Sequence, residues 1–136
     1  MGNSYAKAKG RREHGRFHML PHACLIHENF IRLSPKAVKL LIDLYVQYNG
    51  RNNGDLCAAF TMMKKRGWRS KETLNKAINE LVHYGWIMVT RRGGLNKTPN
   101  LFAVTFRPID ECDGKLDIPP THTAPATWKN DPGKKT

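Results

Sequence analysis

The stretch KKRGWRSKETLNKAINEL, residues 64 to 81, places five cations within eight positions and then continues with the pattern of an amphipathic helix. No acidic residue separates the cations, which are Lys64, Lys65, Arg66, Arg69 and Lys71. Gly67 is predicted to end a preceding helix, because glycine readily adopts the left-handed conformation found at such ends. Ser70 is a favourable N-cap for the helix that follows. The sequence therefore predicts a tight turn between two helices, with positive charge concentrated at the start of the second helix.

The helix that begins after Ser70 is predicted to reach about Tyr84 and to bury one narrow apolar side. The residues of that side are Leu74, Ala77, Ile78 and Leu81, which share one helix face. The opposite side is polar and suits the edges of DNA bases, since Asn pairs with adenine and Lys with guanine. The candidates for base reading are Lys71, Thr73, Asn75, Lys76 and Asn79. The alternative is that Glu72, Lys76 and Glu80 form solvated pairs along the helix and contact no partner.

Two more helices are predicted ahead of the turn. Ser34 is a favourable N-cap, Pro35 suits the first helical position, and apolar residues then recur with helical spacing as far as Tyr45. A second, shorter helix is predicted over residues 57 to 66. Residues 21 to 33 are richer in apolar side chains and are predicted to form a short helix or a strap over one end of the core.

The hydrophobic period changes from 3.6 to 2 beyond the third helix. WIMVTR (86 to 91) and LFAVTF (101 to 106) are rich in β-branched and aromatic residues, and a polar loop with two glycines separates them. The two segments are predicted to form a β-hairpin. Trp68, Trp86 and Phe102 are predicted to belong to the core, with stacking platforms for single-stranded nucleic acid as the alternative.

This order of elements predicts an α+β fold that is mainly α: a winged helix-turn-helix with a three-helix core and a C-terminal two-stranded β-hairpin wing. In such a fold the second helix of the pair enters the major groove, and the hairpin lies against the neighbouring backbone or minor groove. The predicted winged helix domain comprises residues 21 to 109. Residues 1 to 20 are predicted to be a flexible basic arm, and residues 110 to 136, which lack any hydrophobic period, a disordered tail.

The net charge of +12 is concentrated on the predicted domain and its leading arm. Residues 34 to 106 carry twelve Lys or Arg against four Asp or Glu, whereas residues 107 to 136 carry five of each kind. This distribution is typical of nucleic-acid-binding proteins, with a solvated basic surface as the alternative. The candidates for phosphate binding are Lys64, Lys65, Arg66, Arg69, Ser70, Arg91, Arg92 and Lys97. Arg11, Arg12 and Arg16 of the arm are predicted either to lie along a DNA groove or to act as a solubilising tail.

Other classes of protein find little support in the sequence. No apolar run approaches the length of a membrane span, and no apolar segment follows the N-terminal cations as it does in a secretory signal. Three widely spaced cysteines suit a reducing cytoplasm. Without a metal-ligand motif, a phosphate-binding glycine loop or a scaffold for a catalytic carboxylate pair, we predict no metal, no cofactor, no small-molecule substrate and no enzymatic activity.

Four segments of the chain resemble a known group of proteins: LPHACLIHENFIRLSPKAVKLLIDL, NGRNNGDL, SKETLNKAINELVHYGWIMVTRRGG and LFAVTFRPID. They resemble winged helix-turn-helix DNA-binding proteins of proteobacterial phages and plasmids, and they are similar to N-terminal domains of phage replication proteins. The resemblance covers about residues 20 to 110 and implies DNA binding in a mobile genetic element. A replication protein of the larger type carries a further helicase-loader region, whereas a short tail is predicted here after the winged helix domain. Control of transcription, or an accessory phage function, is therefore favoured over initiation of replication.

The leading hypothesis is sequence-specific binding of double-stranded DNA by a cytoplasmic, nucleoid-associated protein, either a transcriptional regulator or a phage or plasmid control protein. One alternative is a phage- or plasmid-type replication accessory protein. Another is a winged-helix interaction module that captures a host factor, because a fold does not determine a function. RNA binding and a homodimer also remain open at this point.

Overall fold

The structure, a computed structural model, describes residues 15–94 and 98–132. Its elements in chain order are helices α1 (His22–Leu25), α2 (Glu28–Ile31) and α3 (Pro35–Tyr45), strand β1 (Leu56–Cys57), helices α4 (Phe60–Met63) and α5 (Lys71–His83), and strands β2 (Ile87–Arg91) and β3 (Leu101–Val104). A short 3-10 helix, Lys64–Arg66, continues directly from α4. The short helix or strap predicted over residues 21 to 33 is present as the two short helices α1 and α2.

The three strands form one antiparallel sheet in the order β1-β3-β2. Strands β2 and β3 form the hairpin predicted from the sequence, with an irregularity in register between Val89 and Arg91. Strand β1 adds a third strand on the other side of β3, where Leu56 pairs with Phe102. The helices and the antiparallel sheet confirm the α+β class. A hairpin that follows the helices is compatible with the layout of a winged helix.

The predicted start of the second helix was wrong. The sequence predicted helix from residue 57, but Cys57 pairs with Leu101 in the sheet, and α4 begins only at Phe60. A strand of two residues is too short to show a period of its own. Its partner strand comes only after α5 in the chain, so β1 exists because of a contact between distant segments.

Helix α3 begins at Ser34 as predicted, and the Ser34 hydroxyl accepts a hydrogen bond from the Ala37 amide at 3.2 Å. Its inner side is apolar, with Leu40 and Leu44 fully buried, and it packs against α5. The carboxylate of Glu80 on α5 accepts hydrogen bonds from the amide and the hydroxyl of Ser34, at 2.6 and 2.7 Å. A negative charge at a helix N-terminus is stabilising. Glu80 therefore joins the two helices and is not the solvated residue that the alternative reading of α5 required.

The aromatic residues predicted to be core are buried, with exposed fractions of 5% for Trp68, 0% for Trp86 and 3% for Phe102. Trp86 meets the ring of Phe30 edge-on, with centroids 5.6 Å apart. Its indole N–H donates to the Asn29 carbonyl at 3.1 Å. Trp86 therefore links the start of the hairpin to α2, and its polar atom is satisfied as a buried indole requires.

Residues 110 to 132 differ from the disordered tail predicted from the sequence. Trp128 is buried and stacks on Trp86, with ring centroids 5.2 Å apart and planes 9° from parallel. The side-chain amide of Asn29 donates hydrogen bonds to the carbonyls of Trp128 and Asn130, both at 2.8 Å. The apolar residues of this segment are single and scattered among Gly and Pro, so no local period reveals them. They pack because the folded core supplies their partners.

Gly85 allows this C-terminal segment to approach the end of α5 closely. Its φ is 80°, a conformation that glycine adopts without steric cost. Its carbonyl accepts hydrogen bonds from the hydroxyls of Thr105 and Thr127, at 2.5 and 2.7 Å. A Cβ atom at this position would collide with the Thr127 carbonyl. The absence of a side chain at Gly85 therefore makes room for the segment that carries Trp128.

Candidate nucleic-acid interface

Helix α5 has the buried and exposed sides that its pattern predicted. Leu74, Ala77 and Leu81 are at most 3% exposed, and Ile78 is half-buried. Four of the five predicted base-reading residues are exposed, namely Lys71, Asn75, Lys76 and Asn79. Thr73 is half-buried. Within the described residues, a polar face of about two and a half turns of α5 is thus left uncovered.

The turn that leads into α5 is held by backbone conformation and by a cap. Gly67 ends the 3-10 helix with a φ of 97°, as predicted. The Ser70 hydroxyl accepts a hydrogen bond from the Thr73 amide at 3.1 Å and donates its proton to the Thr73 hydroxyl at 2.8 Å. Ser70 is therefore the N-cap that the sequence predicted. The two hydroxyls are thus bonded to each other in this structure. The contacts of Ser70 with phosphate and of Thr73 with a base stay predictions.

A buried carboxylate, Asp43 of α3, anchors this turn. The Asp43 side chain is 3% exposed. The Lys39 ammonium and the Trp68 indole N–H donate to its Oδ2 at 2.7 and 2.8 Å, and the Arg66 Nε donates to its Oδ1 at 2.8 Å. The Lys39 ammonium also donates to the Arg66 carbonyl at 2.6 Å. Donors from α3, from the 3-10 helix and from the turn converge on one acid, which fixes the turn against α3.

The pKa of Asp43 lies below its ordinary value of 3.8. Burial alone would raise this pKa, but the hydrogen bonds from Lys39, Trp68 and Arg66 stabilise the charged carboxylate and outweigh it. Asp43 is therefore ionised at neutral pH. Arg66, predicted as a phosphate ligand, has its Nε committed to Asp43, and its side chain is 46% exposed. Only its remaining guanidinium N–H groups are available to a ligand.

Exposed cations lie around the start of α5. Lys64, Lys65 and Arg69 precede the helix, and all three are exposed. The Lys64 ammonium lies 5.8 Å from the centroid of the Phe60 ring. The free amide groups and the positive dipole end of a helix N-terminus also favour anions. The charge pattern of the sequence and the direction of α5 therefore place positive potential at the same end of the helix.

Lys36 on α3 is a further cation of this surface that the sequence reasoning missed. It lines a hollow of about 310 Å³ together with Arg69, and an adjacent hollow of about 310 Å³ together with Lys76. The signal in the sequence was the pair Lys36 and Lys39, which interrupts an otherwise apolar helix. We name the exposed cations of this surface that are not paired with Asp43 the basic rim: Lys36, Lys64, Lys65, Arg69, Lys71 and Lys76.

The predicted wing cations are only partly described by the structure. Arg92 is exposed, Arg91 is half-buried in β2, and Lys97 lies outside the described residues. The Arg92 amide donates a hydrogen bond to the Asp117 carboxylate at 3.1 Å. The C-terminal segment therefore also reaches the hairpin. The phosphate contacts of Arg91, Arg92 and Lys97 stay predictions.

The described part of the predicted arm lies near the C-terminal end of α3. Arg11 and Arg12 lie outside the described residues, and Arg16 is exposed. Arg16 lines a hollow of about 360 Å³ with Tyr48 and Arg107, and no described residue of α5 lines it. The structure thus does not bring Arg16 into the basic rim. Its contact with a DNA groove stays a prediction.

The described residues also bear on metal binding, membrane spans and thiol reactivity. Within residues 15–94 and 98–132, no group of three His, Cys, Asp or Glu is arranged to hold a metal ion. No helix within the same ranges has the length and apolar character needed to cross a membrane. Burial raises the pKa of the Cys112 thiol to about 11, and the negative charges of Asp55 and Asp110 add to the effect. Cys112 is therefore not an activated nucleophile.

Comparison of the chain with protein-family models, with curated proteins and with solved structures finds no match. The resemblance to winged helix-turn-helix proteins of phages and plasmids therefore stays a prediction. The features that bear on function are the surface of α5 and the basic rim.

Proposed function

We propose that this protein is a winged helix-turn-helix protein that binds double-stranded DNA, with α5 as its recognition helix. The observation that carries the proposal is the exposure of Asn75, Lys76 and Asn79, which the described chain leaves uncovered. An α-helix is about 10–12 Å across with its side chains, and the major groove is about 12 Å wide. Helix α5 fits there with its buried side held on α3 and its polar side turned to the bases.

The basic rim supplies the electrostatic part of the proposal. Duplex DNA carries a phosphate on both strands at every base pair, and each cation that neutralises one releases a bound counterion. Lys64, Lys65 and Arg69 flank the start of α5, and Lys36 extends the charge onto α3. Cations carried by α3, by the segment before α5 and by α5 itself suit the phosphate backbones that border a major groove.

The Asp43 network changes the role proposed for Arg66. As a free phosphate ligand, Arg66 would be interchangeable with Lys65. Because its Nε pairs with a buried carboxylate, Arg66 instead positions the turn and offers only part of its guanidinium to DNA. Substituting Arg66 is therefore expected to lower stability and affinity together, whereas substituting Lys65 is expected to lower affinity alone.

The biological role that we propose is control of transcription or of another phage or plasmid function by sequence-specific binding, without catalysis. The support for this role is the resemblance of four segments to winged helix-turn-helix proteins of mobile elements. The support for sequence specificity is the pair of exposed amides, Asn75 and Asn79, on the face proposed to meet the bases. Asn forms two hydrogen bonds with adenine in the major groove, which no other base reproduces.

Selection of bound duplexes from a random pool, followed by affinity measurements at several salt concentrations, tests the proposal. If all six cations of the basic rim pair with phosphates, the slope of log K against log salt is expected to be about −5. Asn75→Ala should relax the preference at one base pair by about 1–3 kcal/mol, whereas Lys65→Ala should weaken all duplexes alike. A pool that yields no enriched sequence, or equal losses on every sequence for both variants, would remove the base-reading role of α5.

A further inference from the structure

A groove lies between α5 and the hairpin, and no residue of α3 is among those that line it. Its volume is about 280 Å³. Leu74 and Phe102 form its floor, and both are at most 3% exposed. Phe60 and Ile78 line it as half-buried walls. The deepest part of the groove is thus apolar.

The rim of the same groove is polar. Lys71 and Asn75 line it from α5, and Asn100 lines it from the start of β3. The Asn100 side-chain oxygen accepts a hydrogen bond from the Gly93 amide at 2.6 Å, which holds this side chain against the hairpin. Two of the predicted base-reading residues, Lys71 and Asn75, therefore stand at the edge of an apolar groove.

The chemistry of the major groove limits what can occupy such a site. The base edges exposed there are hydrogen-bond donors and acceptors, with one apolar exception, the C5-methyl group of thymine. A cytosine amino group above Leu74 and Phe102 would lose its water and gain no acceptor, which is unfavourable. A thymine methyl group in the same place would bury apolar surface and leave no polar group unpaired.

We propose that this groove receives the C5-methyl group of a thymine while Asn75 at its rim pairs with a neighbouring adenine. The inference rests on the proposed function, because it requires α5 to lie in the major groove. It identifies part of the target as A·T base pairs contacted by α5 near its first two turns. It also assigns Ile78 and Phe60 a role in specificity that their apolar character alone does not reveal.

Single replacement of each thymine by deoxyuridine in the duplex selected from the random pool tests this proposal, since the change removes only the methyl group. At the contacted position the affinity is expected to fall about fourfold, as a buried methyl group contributes about 0.8 kcal/mol. Replacements at the other positions are expected to leave the affinity unchanged. Fluorescence anisotropy with the full chain measures each dissociation constant.

A matched pair of protein variants tests whether the loss of affinity on removal of the thymine methyl group arises at the groove. Ile78→Thr places a hydroxyl group in the wall and should reduce the preference for thymine over deoxyuridine to less than about twofold. Ile42→Thr makes the same change on α3, where Ile42 is 41% exposed and does not line the groove, and should leave the preference at about fourfold.

The outcomes separate the two proposals. Tight binding of the selected duplex with no thymine position sensitive to loss of its methyl group overturns the groove assignment and leaves duplex binding intact. An equal loss at every thymine also overturns it, because that result reports a change in duplex shape rather than one contact. Absence of binding to any duplex removes the proposed function itself, and the groove assignment with it.

Discussion

Replacing Asp43 with alanine removes the acceptor that joins α3 to the turn before α5. The largest loss is expected at Trp68, whose indole N–H remains buried without an acceptor at a cost of about 1–3 kcal/mol. The side chains of Lys39 and Arg66 are about half exposed and regain water, so each lost ion pair adds about 0–1 kcal/mol. The free energy of unfolding is therefore expected to fall by about 1–5 kcal/mol.

Equilibrium unfolding in urea, followed by tryptophan fluorescence, measures this loss. With a denaturant slope of about 2 kcal/mol/M, the midpoint of Asp43→Ala should lie about 0.5–2.5 M below that of the wild type. Asp55→Ala is the matched control, because Asp55 forms one exposed ion pair with Lys115 at 3.0 Å. That variant should lose about 0–1 kcal/mol. Equal midpoints for the two variants would refute the view that the Asp43 network anchors the turn.

The same network predicts how stability changes with pH. Because the pKa of Asp43 is lower in the folded state than its ordinary value of 3.8, the unfolded chain binds the proton first as the pH falls. The stabilisation is therefore fully present above the unfolded pKa and is lost as the pH falls through the lower, folded-state pKa. The difference in midpoint between the wild type and Asp43→Asn should shrink below about pH 4. A difference that stays constant from neutral to strongly acidic pH would contradict the assignment.

Three further predictions concern stability and reactivity. Glu80→Gln weakens the cap on Ser34 and should lower the free energy of unfolding by about 1 kcal/mol in urea titrations, whereas the exposed Glu111→Gln should change it by less than about 0.5 kcal/mol. Trp128→Ala should cost about 3–5 kcal/mol in the same assay, and His122→Ala in the same segment close to nothing; equal stability of the two variants would mean that the C-terminal segment does not support the core. Cys112 should react slowly with iodoacetamide at pH 7, with a rate that rises about tenfold per pH unit and levels off only near its pKa of about 11; fast alkylation of the folded protein at pH 7 would contradict its raised pKa.

Part of the candidate interface was readable from the sequence. The spacing of Leu74, Ala77 and Leu81 predicted which side of α5 is buried, and Ser70 and Gly67 predicted where the turn lies. These features depend on residues within a few positions of one another, so local geometry is enough to infer them. The exposure of Asn75 and Lys76 followed from the same periodicity.

The sequence reasoning treated each cation near the turn as equivalent, and the structure separates them. Arg66 and Lys39 form ion pairs with Asp43, whereas Lys65 and Arg69 form no ion pair among the described residues. A lone acid within the apolar helix LLIDLY was the available signal, because a buried carboxylate requires charged or hydrogen-bonding partners. The identity of those partners depends on which segments lie beside α3.

The sequence by itself determined the turn between the two helices, the hairpin, the division of α5 into a buried and a polar side, and the excess of positive charge. The first three depend on residues close together in the chain, and the charge is a sum over all residues. Only the tertiary structure decided that Leu56 pairs with Phe102, that Asp43 receives three donors and that Trp128 stacks on Trp86. Apart from the pair Lys39 and Asp43, which lie four residues apart on α3, each of these contacts joins residues distant in the chain. Short-range periodicity carries no information about such distant pairs. The groove between α5 and the hairpin is also decided by the tertiary structure. Its walls come from α4, α5 and β3, and they exist only when these elements pack together.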